Sequence, residues 1–275
     1  MAYPLALLTV QEFQNAPTAL DLTNLVPGGD ANAQTAELAN VITRSSQWIY
    51  TYCQQILVAT TDTEQRTAQI TNDGQIYVRP KNKPIVSISS VSWKIYASDV
   101  WNNIDLSNVW ISGHGDAFYV DGWYGYYRGL GNRKPQIQYT YVNGYPNPLL
   151  TVSVSAGATA LTVSTAVGIE PNVLLTIYDG EFTEQITVQS VNGNVVTLTT
   201  GVINAHNAGV AVSGVPADIK QAAILVVTHF IKQRGYGTVS LEMAQAETMR
   251  LTDRAGLSQE LKEATQILQA YKQVF

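Results

Sequence analysis

Between Lys134 and Lys220 the chain carries neither lysine nor arginine, and through most of that stretch small or apolar residues alternate with polar ones. TVSVS, ATALTVST, NVLLTIYD, EQITVQSV, NVVTLTT and AGVAVSG each repeat with a period of two, and SAGA, DGE and NGN punctuate them. Strand side chains leave the two faces alternately, so the pattern predicts short strands with one buried face. Six of them in so short a span predict a small sandwich or barrel. The pattern then changes at once. In GVPADIKQAAILVVTHFIKQRG, residues 214–235, Ile219, Ala222, Ala223, Val226 and Phe230 fall on one helical stripe, which Ile224, Leu225, Val227 and Ile231 widen. Pro216 suits a first turn, Asp218 the N-terminal end, and Lys232 and Arg234 the other. A helix over 216–234 that is apolar around most of its girth must be covered by its own domain or by a neighbouring subunit. Proline-rich borders, YPNP before the strands and SGVP after them, predict an all-β domain at 150–213 inserted into a host made of residues 1–149 and 214–275.

The host is predicted to be helical at both ends. Thr9 and Glu12 carry the capping-box spacing for a short helix over 9–16. Leu38, Val41, Ile42, Ser45, Trp48, Ile49, Tyr52, Cys53 and Ile56 recur at spacings of three and four, predicting an amphipathic helix over 35–58 with Cys53 as a small core residue. From 61 to 145 the period is two. RTAQIT, NDG and QIYVRP form a hairpin signal, because Asn, Asp and Gly tolerate positive φ, and IVSISSVSWKIY extends the sheet. Ser240 and Ser258 are candidate caps for two last helices, over 240–252 and 258–274. The class is α+β.

Composition removes several functions. Charged residues make up 13% of the chain and the formal net charge is -5, which argues against a protein whose affinity comes from neutralising phosphates. Cys53 is the only cysteine, so neither an intrachain disulfide nor a thiolate cluster is possible. MAYPLALLTVQEF lacks the basic start and long apolar core of a signal peptide, and AAILVV is too short to span a membrane, so synthesis in the cytoplasm is expected. No Walker loop, GxSxG elbow or HExxH motif occurs. His114, His206 and His229 have no second ligand at helical spacing, so no metal or cofactor is expected and His229 reads as a packing residue. Asp179, Glu181 and Glu184 flank one turn and have the chemistry for calcium or for glycan hydrolysis, although solvated turn charges are the simpler reading. Trp123, Tyr124, Tyr126 and Tyr127 lie beside Arg128, and RPKNKP sets Arg79, Lys81 and Lys83 in one loop. Rings beside arginine stack on sugars or bases. A filled sheet face and a solvated loop explain the same residues without a ligand.

The order of the pieces adds a further reading. PIVSISSV at Pro84–Val91 precedes a strand ending YVNGY at Tyr141–Tyr145, and VPADIKQA at Val215–Ala222 opens the apolar helix. In this order the segments resemble the head-tail connector, or adaptor, family of long-tailed bacteriophages. In that family the Gly-Tyr strand and the Val-Pro helix lie close together in the chain, whereas here the β module separates them. The module itself resembles small β modules of phage virion proteins. The resemblance implies a helical adaptor core with long antiparallel β-hairpins, assembled as a ring, of twelve copies by family analogy, beneath the portal protein. Such a ring sits in the virion neck, joins the capsid to tail-side stopper or tail-completion proteins, and passes DNA without binding it specifically, with no membrane and no catalysis. The family's C-terminal segment reaches toward the portal, which makes Leu268, Tyr271, Val274 and Phe275 expected portal contacts. Trp123, Tyr124, Tyr126, Tyr127, Arg128, Arg79, Lys81 and Lys83 become expected contacts within the ring or with a partner. A carbohydrate-binding or adhesin-like β-rich virion or surface protein is the alternative, and a glycan-active enzyme using Asp179 and Glu184 is the third.

Overall fold

Three hydrophobic cores organise residues 6–121, 134–233 and 258–273, the parts of the chain that the computed structural model describes. The protein is α+β. The first core is helical, built from α1 (Val10–Asn15), α2 (Ala31–Cys53), α3 (Ala217–Ile231) and α4 (Gln259–Leu268). The capping box of α1 is present, with Glu12 N donating to Thr9 Oγ1 at 3.0 Å and Thr9 N to Glu12 Oε2 at 2.6 Å. Helix α2 starts earlier than the apolar stripe suggested, because Asp30 caps it by accepting from Ala33 N at 2.8 Å. It also ends earlier, at Gln54, whose φ of 58° is left-handed. Ile56 continues the stripe by spacing alone. The chain there is already extended, with Tyr145 N donating to Leu57 O and Ala59 N to Tyr145 O, both at 2.8 Å.

Helix α3 packs on α2 and α4. Ile219, Ala222, Ala223, Val226, Val227 and Ile231 are buried among Leu38, Ile42, Ile49 and Leu268, while Ile224, Leu225 and Phe230 are half-buried. Each large aliphatic side chain so buried contributes about 1.5–3 kcal/mol. Most of the apolar girth is therefore covered within the chain itself. The helix expected over 240–252 lies outside the described residues.

The second core lies between two antiparallel sheets made by β1 (Thr60–Thr67), β2 (Gln69–Ile70), β3 (Ile76–Val78), β4 (Ile85–Lys94), β5 (Asn102–Asn103), β6 (Val109–Ile111), β7 (Phe118–Val120) and β8 (Gln136–Asn143). Their strand orders are β1-β8-β4-β5 and β2-β3-β7-β6. Alternation along β8 buries Ile137, Tyr139 and Tyr141, and Phe118 from the other sheet meets Tyr139 edge-on at 5.0 Å.

The third core is enclosed by β9 (Ala160–Thr162), β10 (Leu174–Tyr178), β11 (Glu184–Asn192), β12 (Val195–Leu198) and β13 (Ala211–Ser213), in the order β13-β10-β11-β12-β9. Residues 148–151 close the sheet. Val212 N donates to Pro148 O and Leu150 N to Val210 O, both at 2.8 Å. On the opposite edge, Thr151 N donates to Thr162 O at 2.9 Å and Ser164 N to Leu149 O at 2.8 Å. The module is thus a closed barrel, which leaves no unpaired sheet edge. Of the six expected strands, TVSVS supplies only Thr151 to this closure and a bridge from Val154 to His206. The two chain ends of the module meet, since Gly214 N donates to Pro146 O at 2.8 Å.

Gly144 sits where strand β8 crosses the chain leaving α2. Its φ is +79°, and a Cβ there would lie 2.7 Å from Val58 O and 2.8 Å from Leu57 O. Gly144→Ala is expected to lower stability by about 2 kcal/mol or more in urea unfolding, because left-handed strain adds to a backbone clash. Gly193→Ala has a similar φ, +58°, with nothing within 4 Å of the new atom, and should cost only about 1–2 kcal/mol from the left-handed backbone alone. Equal losses at the two positions would contradict the close-approach account.

Candidate functional site

The acidic turn singled out in the sequence closes on a histidine. Asp179 follows β10 and Glu184 opens β11, and His206 lies between them, with Nδ1 3.0 Å from Asp179 Oδ2 and Nε2 2.8 Å from Glu184 Oε1. Glu184 also accepts from Ile203 N and Asn204 N, each at 2.8 Å. Burial pushes the Glu184 carboxyl upward, but the two backbone donors and His206 outweigh it and hold it below its ordinary value. The His206 side chain has no exposure, and those of Asp179 and Glu184 keep 13% and 6%. Carboxylates on opposite ring nitrogens diverge, and no group of three or more His, Cys, Asp or Glu among the described residues is placed to hold a metal ion. What this arrangement does is staple the turn after β10 to the loop before β13.

His229 has a different task. Its Nδ1 lies 2.7 Å from Ser258 Oγ, and Ser258 Oγ accepts from Leu261 N at 3.3 Å, so α3 orients the residue that caps α4. Burial holds the imidazole below its ordinary value, with Glu260 acting in the opposite direction. Cys53 is fully buried beside Leu268, and burial pushes its thiol up to about 12. Leu268, expected at a portal contact, is itself fully buried in the helical core. Tyr271 is half-buried and donates to the Asp218 carboxylate at 2.8–2.9 Å.

The basic loop and the C-terminal segment, distant in sequence, form one surface. Gln55, Arg79, Lys83, His114, Tyr271 and Lys272 line a groove of about 420 Å³. Lys81 is exposed beside it, and its carbonyl accepts from Gln273 Nε2. Burial, then the neighbouring Arg79 charge, hold the Lys83 amine below its ordinary value. Trp123, Tyr124, Tyr126, Tyr127, Arg128, Val274 and Phe275 lie outside the described residues. An aromatic ladder that the sequence reading passed over stands on the second sheet instead. Trp110 stacks on Tyr119 at 4.1 Å, and Tyr119 meets Tyr77 at 5.2 Å. Period-two counting from the buried Val78, Phe118 and Val120 places these rings on the opposite face.

A second buried polar contact is also not legible in the local sequence. Lys220 Nζ on α3 donates to Glu12 Oε1 at 2.6 Å and to Asn147 Oδ1 at 3.0 Å, and it lies 4.8 Å from the centroid of the Tyr178 ring on β10. Both charged side chains are only 5% exposed. Burial holds the lysine amine below its ordinary value, against the raising effect of Glu12. Glu12 was legible only as a capping residue, and nothing local marks Lys220 as buried.

No protein-family model and no curated protein matches the chain. Among solved structures it is similar to a chain from the "neck of empty GTA particle computed with C6 symmetry", at 10% identity over 98% of this chain and 95% of that one, with a TM-score of 0.41. Function therefore rests on the residues.

A pH dependence follows from His229. Its folded pKa lies below the unfolded value near 6.5, so the unfolded chain binds more protons between the two values. The associated stability is fully present above about pH 6.5 and is lost as pH falls through the folded value. Amide exchange in α4, corrected for intrinsic rate, should accelerate between pH 7.5 and 5.5, and His229→Gln should abolish the change. Acceleration that persists in the variant would refute the assignment.

Proposed function

We propose that the chain is a structural protein of a phage-like virion neck, a head-tail connector that assembles as a ring beneath the portal and joins capsid to tail. One observation carries the reading. The three segments that bear the family resemblance meet in space: Gly144 N donates to Pro84 O at 2.9 Å, and Gly214, just ahead of the Val-Pro helix, donates to Pro146 O at 2.8 Å. Reading residues 150–213 as an insertion then supports the adjacency that the family has without one. The low charge and the acidic balance also support a conduit that lets DNA pass without holding it. In this reading the C-terminal segment, with Tyr271, Val274 and Phe275, docks on the portal, and the basic loop and the segment from Trp123 to Arg128 contact ring neighbours. The ring has twelve copies by family analogy, and heterologous contacts close it.

The internal bonds of Tyr271 and Gln273 choose the test variant, since deleting only Val274 and Phe275 spares them. Co-expressed with its portal, the full chain should appear in negative-stain images as a ring on the portal. The truncated chain should dock about tenfold more weakly, the loss of one well-buried apolar anchor, with an unchanged melting temperature. A chain that stays monomeric with and without portal would overturn the proposal.

A further inference from the structure

The loop carrying Arg79, Lys81 and Lys83 is exposed at Arg79 and Lys81, half-buried at Lys83 and fixed at its backbone. Asn82, only 6% exposed, donates through Nδ2 to Asp62 at 2.8 Å and through its backbone N–H to Tyr141 Oη at 3.2 Å, and it accepts from Ile56 N at 3.1 Å. Lys81 N rests on the Glu64 carboxylate at 3.1–3.2 Å. Lys83 N donates to Gln55 Oε1 at 3.1 Å, and Gln55 Nε2 donates to Tyr271 O at 2.7 Å. The same glutamine thus locks the loop to the facing wall, residues 270–273.

Among the described residues, the ends of Arg79 and Lys83 and the ring of His114 make no side-chain hydrogen bond or ion pair. Asp116 is the acid whose charge reaches Arg79 and Lys83, and Ser112 Oγ already donates to it at 2.5 Å. Arg66, the other cation felt at Lys83, is held by Glu64 at 2.9 Å. Positive charges are therefore crowded onto rigid walls with unspent donors, an arrangement that a negatively charged ligand relieves.

We propose that this groove binds a carboxylate-bearing peptide segment of a partner protein, with Arg79 and Lys83 on one wall taking its acidic side chains and Lys272, whose Nζ lies 5.2 Å from the Tyr52 ring centroid and makes no ion pair among the described residues, adding charge from the other. The groove, at about 420 Å³, has room for a few side chains. A duplex would instead need a long basic face, and the chain's net charge is -5. The inference does not rest on the neck reading, and failure to bind peptide would leave ring formation untouched.

Fluorescence anisotropy on the full chain at low salt tests it, with a short labelled peptide alternating glutamate and glycine, and the same peptide with glutamine as comparison. The acidic peptide should bind at least about tenfold more tightly. Arg79→Gln with Lys83→Gln, and separately Lys272→Gln, should remove most of that preference, while Lys83→Arg and Arg44→Gln on α2 keep it. Melting curves of the Arg79, Lys83 and Lys272 variants should stay close to wild type, since none of them breaks a side-chain hydrogen bond and Lys272 gives up only its place 5.2 Å from the Tyr52 ring centroid, whereas Arg44→Gln loses an exposed pair with Glu37 at 2.7 Å that contributes little to stability. Equal binding of the two peptides, or groove variants that bind as wild type does, would overturn the proposal. A DNA duplex that displaces the peptide and binds more tightly would overturn it in favour of nucleic acid.

Discussion

The ion pair between Lys220 and Glu12 is the contact on which the arrangement of the other parts depends. It joins the first turn of α3 to α1, and through Asn147 and Tyr178 it reaches the connection into the barrel and the barrel wall. Asn147 Nδ2 in turn donates to Ala6 O at 3.0 Å, so the segment before α1 is fixed by the same group. Two charges at 5% exposure are costly to desolvate, and removing one alone strands the other at a cost of about 3–5 kcal/mol. A junction of this kind favours the geometry in which both charges stay paired.

The same device recurs at the other seams. Glu64 on the edge strand β1 points inward and accepts from Tyr139 Oη at 2.9 Å and Tyr141 Oη at 2.5 Å, which burial and the carboxylate hold well above the usual phenol range. Asp62, on the same strand, binds Asn82 and Asn143 at 2.8 Å each. Inward charges on an edge strand also discourage pairing with another chain. Asp179 and Glu184 hold His206 inside the barrel in the same way, and Gln11 Nε2 donates to Asp179 Oδ1 at 3.4 Å, bringing α1 to the barrel turn. In a chain with 13% charged residues, many of the charges it does carry stand at junctions.

What the sequence made legible was whatever local period and capping determine. The apolar stripe of α3, the capping box of α1, the Ser258 cap and the hairpin turn ending at Gly74 all follow from residues within a few positions of one another. The errors have one cause as well. Ile56 obeys the helical spacing although Gln54 has already turned the chain, and TVSVS alternates like a strand although residues 148–151 form the last stave of the barrel. In both cases a partner far along the chain decides. The candidate site divides in the same way: the basic loop and the C-terminal segment were each visible, but their sharing of one groove through Gln55 was not. His206 and Lys220 take their partners from distant segments, so local patterns carried no sign of either pairing.

A double-mutant cycle on the buried pair tests the central claim most directly. Glu12→Gln keeps the capping box while discharging the pair, Lys220→Met keeps the side-chain volume, and urea unfolding of both single variants and the double gives the coupling. The account predicts single losses of about 3 kcal/mol or more and a coupling above about 2 kcal/mol, with the double variant recovering part of the loss. Single losses below about 1 kcal/mol that add without coupling would contradict it.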